Sequence, residues 1–184
     1  MNGEHNELTL EYILLGLLQG QPLHGYALYR KLRQEQELSR IWQVKRSKMY
    51  YLLEKLEEKN LLTSEFVHNP SRPDRKMYRV TEKGQREYRS WMKSPVESGR
   101  HMRIAFLSRL FFAVREGEDR ALALVDKQIS LCRSWKESLE SQLGDLQDPD
   151  FITRQIFHFR IGQVQAMLDW LRSCQEGIVT RQND

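Results

Sequence analysis

The clearest chemistry in this sequence belongs to a cluster of basic side chains. The segment from Arg40 to Lys48 contains four basic residues and no acidic one. Ammonium and guanidinium groups that share one surface of a folded domain attract polyanions such as nucleic acid. Because folded proteins also carry solvated basic surfaces that bind nothing, the cluster by itself leaves both interpretations open.

The basic residues are unevenly distributed along the chain. The 184 residues carry a formal net charge of +4. Residues 1–93 contain 17 Lys and Arg against 12 Asp and Glu, whereas residues 94–184 contain 12 against 13. The basic excess therefore lies in the same half of the chain as the cluster.

Composition excludes several classes of protein. Two cysteines are too few for a disulfide scaffold and indicate a reducing compartment. The longest apolar stretch, Tyr12 to Leu18, is much shorter than the roughly 20 residues that a membrane-spanning helix needs. The polar N-terminus lacks the pattern of a signal peptide. We therefore expect a cytoplasmic protein with no membrane partner.

Apolar spacing predicts the elements that must position the basic cluster. Three helices are followed by a β-hairpin and a fourth helix. The Pro, Asn and Asp residues between the two strands are typical of a turn, and Thr81 is expected to cap the fourth helix. The first three helices are predicted over residues 8–18, 24–37 and 46–60, and the strands over 61–68 and 75–81.

The third predicted helix carries part of the cluster. Its apolar residues form one stripe, Met49, Leu52, Leu53 and Leu56, so its opposite side should face solvent. Such a helix can enter a DNA major groove, and the basic hairpin can contact the flanking backbone. The alternative is an ordinary amphipathic surface helix. The residues predicted to contact DNA are Lys45, Arg46, Ser47, Lys48, Tyr50, Tyr51, Lys55, Arg72, Arg75 and Lys76.

Four short motifs in this half resemble the PadR-like family of winged helix-turn-helix transcriptional regulators. In order they are LLGLL at residues 14–18, PLHGY at 22–26, YYLLEKLE at 50–57 and YRVTEKG at 78–84. Tyr50 matches the family's recurrent tyrosine of the third helix. The resemblance covers about residues 8–92. It implies a mainly α fold with a small β-hairpin wing, in which a DNA-binding domain is followed by helices that pair two subunits.

The sequence departs from the family at the start of the third helix. Residues 45–49 read KRSKM, where the family usually has a small, neutral segment. The added positive charge should raise affinity for phosphates and the sensitivity of binding to salt. The resemblance implies a homodimeric repressor whose operator is palindromic.

The second half of the chain is predicted to be helical throughout. Pro95 and Gly99 interrupt the helical pattern, so we expect a DNA-binding domain over 1–93 and a helical dimerisation domain over 94–184. Two heptad series follow in the later helices. The residues predicted to form the dimer interface are Leu122, Val125, Ile129, Cys132, Leu139, Phe157, Ile161, Val164 and Leu168. The alternative is that these helices bury one another within one chain.

Other functions find less support in the sequence. The five histidines and two cysteines form no metal-binding pair, and no phosphate-binding loop or catalytic constellation occurs, so we expect neither a cofactor nor an enzyme. The family resemblance implies that an aromatic-lined cavity in the helical domain could receive a small hydrophobic effector. The competing function is a winged-helix module that binds a protein partner without DNA, which should carry an apolar patch in place of the basic surface.

Overall fold

The computed structural model describes residues 2–69 and 72–180 and divides the chain into two compact units. Met1–Lys93 and Met102–Phe112 form the first unit, and Ser94–His101 and Ala113–Asp184 form the second. The expected boundary after residue 93 therefore differs in one respect, because Met102–Phe112 packs with the first unit. The indole Nε1 of Trp42 donates a hydrogen bond to Ser108 Oγ at 2.9 Å, which helps to hold this segment there.

The first unit is a helical domain with a small sheet. The three strands are antiparallel in the order β1-β3-β2, and β2 and β3 form the predicted hairpin. Its elements are α1 (Asn2–Leu17), β1 (Leu23–His24), α2 (Gly25–Gln34), α3 (Gln36–Ile41), α4 (Arg46–Glu58), β2 (Leu62–Asn69), β3 (Arg72–Val80) and α5 (Glu82–Lys93). The mainly helical fold with a β-hairpin wing is confirmed.

Two features of this unit differ from the prediction. The second predicted helix is two helices, because Glu35 has an extended backbone with φ −71° and ψ 95°. The break lets Leu38 of α3 become completely buried. The short strand β1 was not predicted, since it exists only through its pairing with β3, where Leu23 lies opposite Tyr78.

The core of the first unit forms around α1 and α4. Ile13, Leu14 and Leu15 of α1 are completely buried, which confirms that this helix is central. The predicted stripe of α4 is confirmed as well, since all four of its side chains have no exposed surface. Burying each such side chain contributes roughly 1.5 to 3 kcal/mol, so the stripe fixes how α4 is rotated about its axis.

A compact joint connects the end of α4, the hairpin and α5. Asn60 adopts a left-handed backbone with φ 57°, as predicted for the end of this helix. The Thr81 hydroxyl accepts a hydrogen bond from the Gly84 amide at 3.0 Å and donates one to the Asn60 carbonyl at 2.8 Å. A Cβ atom at Gly84 would overlap the Leu61 carbonyl oxygen. The YRVTEKG motif therefore builds this joint.

The second unit is dominated by two long helices. The helices beyond α5 are α6 (Leu107–Glu116), α7 (Glu118–Gly144) and α8 (Phe151–Thr180), and short turns of 3-10 and π-helix cover Gly99–His101 and Met102–Phe106. Gln128 of α7 is completely buried and binds the backbone of Val96 twice, accepting from its amide at 2.7 Å and donating to its carbonyl at 3.1 Å. This pair of bonds attaches the segment before α6 to α7.

The residues predicted to form the dimer interface lie on two helices that also pack against each other within one chain. α7 and α8 pack against each other along their length within one chain. Six of the predicted interface residues are buried there without any partner subunit, namely Val125, Ile129, Cys132, Leu139, Val164 and Leu168. Leu122, Phe157 and Ile161 are half-buried. The heptad pattern thus describes packing inside the chain, because a stripe of this spacing does not specify which helix will cover it.

The joint at Gly84 gives a direct test of the fold. Gly84→Ala should lower the free energy of unfolding by about 1 to 3 kcal/mol, because the new methyl group overlaps a backbone carbonyl that cannot move aside cheaply. Thermal unfolding followed by circular dichroism measures the change. Gly144→Ala is the control, since nothing lies within 4 Å of a Cβ there, and it should change stability by less than about 0.5 kcal/mol. Equal stability of the two variants would contradict the close packing at Gly84.

Candidate nucleic-acid interface

The exposed side of α4 begins with a basic turn. Lys45, which precedes the helix, and Arg46 and Ser47 of its first turn are exposed, and half of the Tyr51 surface is open to solvent. Lys48 is half-buried, and its Nζ lies 4.8 Å from the centre of the Tyr51 ring. The outward residues further along α4 include Glu54 and Glu58. Positive charge is therefore concentrated at the N-terminal end of this helix.

Arg46 is held by two tyrosines from different helices. Its guanidinium carbon lies 5.7 Å from the centre of the Tyr26 ring and 5.6 Å from that of Tyr50. A Cβ at Gly25 would lie 2.5 Å from the Tyr50 ring, so only glycine allows the ring to pack against the start of α2. The contacts between a cation and two aromatic faces restrict the arginine without consuming its N–H donors.

Tyr26 is a candidate site residue that sequence reasoning missed. It lies in the first turn of α2, and 52% of its surface is exposed. Its ring stacks on that of His24, with the ring centres 6.4 Å apart. The PLHGY motif contained the signal, since Gly25 places Tyr26 beside α4, but the contact depends on tertiary packing.

His24 contributes to the local structure of this surface. Its Nδ1 accepts a hydrogen bond from the Ala27 amide at 3.2 Å and so caps α2. Partial burial, with smaller contributions from Arg75 and Arg30, lowers the pKa of His24. The imidazole is therefore favoured in the neutral form, which is the form able to accept this bond.

Lys55 is predicted to contact DNA, but the structure places it in an internal ion pair. Its Nζ lies 3.4 Å from Glu11 Oε1, and Lys59 Nζ lies 2.8 Å from Glu11 Oε2. The Glu11 side chain, on α1, is only 3% exposed. A nearly buried carboxylate requires such partners, so these two lysines attach α4 to α1. Sequence reasoning missed Glu11 because the pair joins residues far apart in the chain.

In the wing, Lys76 forms an ion pair whereas Arg75 is exposed. Lys76 Nζ donates to Glu57 Oε2 of α4 at 2.7 Å, and this hydrogen bond raises the pKa of Lys76. Arg75, its neighbour on β3, is exposed. The backbone of Arg72 begins β3, but its side chain lies outside the part that the structure describes. Glu57 therefore fixes the wing against α4 and leaves Arg75 as an exposed cation of this strand.

These elements enclose a shallow groove in the first unit. It has a volume of about 290 Å³, and its lining comes from the start of α2, from α4 and from β3. The groove brings together His24, Tyr26, Tyr50 and Arg75. The structure thus places aromatic and cationic groups from three elements on one surface, at the N-terminal end of α4.

Residues 2–69 and 72–180 lack two other features that would indicate a function. These residues contain no group of three or more His, Cys, Asp or Glu side chains that could hold a metal ion. Their helices include none that combines the length and the apolar character needed to cross a membrane.

This chain is similar to known proteins in sequence and in structure. The model of the transcriptional regulator PadR-like family matches residues 14–90. The negative transcriptional regulator PadR of Bacillus subtilis (strain 168) is 25% identical over 139 residues, which are 76% of this chain and 71% of that protein.

Two crystal structures of Bacillus subtilis PadR are also similar. The complex with operator DNA is 23% identical, covers 92% of this chain and 98% of its own, and has a TM-score of 0.46. The complex with p-coumaric acid is 22% identical with the same coverage and has a TM-score of 0.41. The family match extends from α1 to α5 and so includes every element of the surface described above. The part of this chain that carries the helix-turn-helix and the wing is therefore similar to the PadR-like family of transcriptional regulators, which are not enzymes.

Proposed function

We propose that this protein is a homodimeric repressor that binds a palindromic DNA operator through α4 and the wing. The observation that carries the proposal is the orientation of α4. Its apolar stripe is completely buried, while Lys45, Arg46 and Ser47 are exposed at its N-terminal end. Recognition helices of this class contact base edges mainly through their N-terminal residues.

The distribution of charge on α4 supports insertion by its N-terminal end. Glu54 and Glu58 would meet phosphates unfavourably if the helix lay along the groove over its whole length. The exposed Arg75 on the wing is placed to contact the flanking backbone. These cations also argue against a module that binds only protein, since such a module should have an apolar patch at this position.

The sign of regulation is inferred from the relative. The Bacillus subtilis protein, which shares 25% identity over 76% of this chain, is named as a negative regulator. A dimer bound at a promoter competes with transcription without any further activity, so repression requires only the DNA contacts. A protein that acts on chromosomal DNA in this way works in the cytoplasm.

Salt dependence tests the DNA interface. Lys45→Ala and Arg75→Ala should each weaken binding and reduce the slope of log K against log salt by about 0.9, the amount expected for one lost phosphate contact. Lys55→Ala should change the slope less, because Lys55 is paired with Glu11. Fluorescence anisotropy with a labelled duplex selected from genomic DNA measures all three. Arg133→Ala, at an exposed position on α7, is the control. Unchanged slopes for Lys45→Ala and Arg75→Ala would remove α4 and the wing from the interface.

The homodimer is proposed to form through the exposed side of α8. Ile152, Ile156 and Phe159 are 62%, 52% and 67% exposed, and their spacing of four and three residues places them in one stripe. Trp170 continues this stripe three turns later and is also exposed. Apolar side chains clustered on a surface mark an interaction site. A second copy of the same helix would cover the stripe about a two-fold axis.

Substitutions at an exposed position of α8 and at a buried position of α7 distinguish an effect on dimerisation from an effect on folding. Ile156→Asp should give a folded monomer by sedimentation velocity, because the new charge enters the interface but not the core of the chain. Ile129→Asp should instead unfold the second unit, since Ile129 is buried within the chain. His158→Asp, exposed on another side of α8, is the control and should stay dimeric. A dimer that survives Ile156→Asp would exclude this stripe.

A cavity in the second unit is the proposed site of a small hydrophobic effector. It has a volume of about 840 Å³, within the range of small-molecule sites, and its walls are residues 97–100, α7 and α8. Trp135, Leu139, Phe159 and Met167 supply its apolar lining. Phe159 also belongs to the exposed stripe of α8. A bound molecule would therefore contact a side chain of the proposed dimer interface, which gives it a route to change the separation of the two DNA-binding units.

A neutral fluorescent probe tests this cavity. N-Phenyl-1-naphthylamine should bind the native dimer, and Trp135→Ala should weaken its affinity about fivefold or more because the largest apolar wall is lost. Tyr51→Ala, which removes an exposed aromatic ring from the first unit, is the control and should bind the probe normally. Equal affinity of Trp135→Ala and the native protein would place the probe elsewhere.

A further inference from the structure

The geometry points to Arg46 as a residue that recognises a guanine base in the major groove, with Tyr26 as its positioning residue. This inference rests on the proposed function, since it assumes that α4 enters the groove. It goes further in assigning one base contact to one side chain. It also assigns a role to the pair of tyrosines that the fold brings together around the arginine.

Arg46 is restrained without being neutralised. Its guanidinium lies near the faces of two rings, at 5.7 Å from the Tyr26 centre and 5.6 Å from the Tyr50 centre. Among the residues that the structure describes, no carboxylate pairs with Arg46, whereas Lys55, Lys59 and Lys76 each bind one. Aromatic faces attract a guanidinium but accept none of its in-plane hydrogen bonds in the way a carboxylate does. The N–H donors therefore stay available to a ligand.

The planar fork of an arginine suits a base edge in a way that a point charge does not. A phosphate can be held by any cation, and the exposed Lys45 beside Arg46 suits that role as a point charge. Guanine O6 and N7 form a pair of acceptors that a planar guanidinium matches with two parallel hydrogen bonds. Restraint by two rings lowers the entropy that a long, flexible side chain loses on making such a directional contact. An arginine held in this way is better suited to a base edge than to a phosphate.

The position of Arg46 in the fold also suits a base contact. It is the first residue of α4, where side chains of a recognition helix contact base edges. Tyr50 lies one turn later on the same side of the helix, and Tyr26 extends from α2. Gly25 is required for the approach of the two helices, because a Cβ there would collide with the Tyr50 ring. The arginine is thus positioned by the helix-turn-helix itself and not by a flexible loop.

Selection from a random duplex library tests the inference with the full-length protein. Native protein should enrich a motif with a conserved guanine in each half-site. Arg46→Lys should enrich the same motif but without a preference for guanine at that position. Arg46→Lys keeps the charge but loses the fork. If both proteins enrich the same motif, DNA binding stands and the assignment of Arg46 is wrong. If the native protein enriches no motif at all, the proposed function fails and this inference fails with it.

A double-mutant cycle, in which protein variants are combined with a modified base in the DNA, distinguishes a guanine contact from a phosphate contact. Replacing the assigned guanine by 7-deazaguanine removes the N7 acceptor and should weaken native binding about tenfold, while leaving Arg46→Lys unaffected. Tyr26→Leu should behave as Arg46→Lys does, whereas Tyr26→Phe, which keeps the ring, should behave as native. Lys45→Gln is the matched control. Relative to the native protein, its affinity should fall by the same factor on the guanine duplex and on the 7-deazaguanine duplex. A uniform loss for Arg46→Lys on both duplexes would assign Arg46 to a phosphate instead.

Thermal unfolding of each variant shows whether a loss of DNA binding arises from misfolding. Arg46 and Tyr26 are exposed or largely exposed, so their substitution should leave the melting temperature near that of the native protein. Base selectivity is a property that a purely structural role of Tyr26 would not change. If Tyr26→Leu keeps the full selectivity for guanine, the positioning role assigned to Tyr26 is wrong. The base contact assigned to Arg46 can still be correct in that case.

Discussion

The rotation of α4 about its own axis is the constraint on which the surface of the first unit depends. Four completely buried side chains fix that rotation, each contributing roughly 1.5 to 3 kcal/mol. Turning the helix by one residue would expose several of them, at a cost larger than any surface ion pair could offset. The outward direction of Arg46, Ser47 and Tyr51 is therefore a consequence of apolar burial. The chemistry of the surface is set by the core beneath it.

Two carboxylates then decide which basic residues remain available to a ligand. Glu11 binds Lys55 and Lys59, and Glu57 binds Lys76. These contacts hold α4 against α1 on one flank and against the wing on the other. They also remove three cations from the group that could meet phosphates at full charge. The formal charge of the first half of the chain consequently overstates the number of phosphates that the protein can neutralise, and the cations of the first turn carry more of that role.

Sequence patterns predicted those parts of the structure that depend on local spacing. The stripe of α4, the hairpin and the cap at Thr81 follow from periodicity and turn chemistry, and the structure confirms them. The partners of Lys55 and the exposure of Tyr26 could not be predicted, because both depend on helices that meet only in the folded chain. The break at Glu35 and the strand β1 belong to the same class. Local patterns locate the helix that carries the site, but tertiary contacts decide which of its side chains are free.

The C-terminal helices show the same limit in another form. α8 carries two stripes of similar spacing, and one of them, which includes Val164 and Leu168, is buried in the chain, whereas the other, which includes Ile152 and Ile156, is exposed. Heptad spacing predicts that both stripes pack against another helix. It does not show whether that helix belongs to the same chain or to a second chain. The exposed stripe also includes the large aromatic rings of Phe159 and Trp170, and it is the stripe that we propose as the dimer interface.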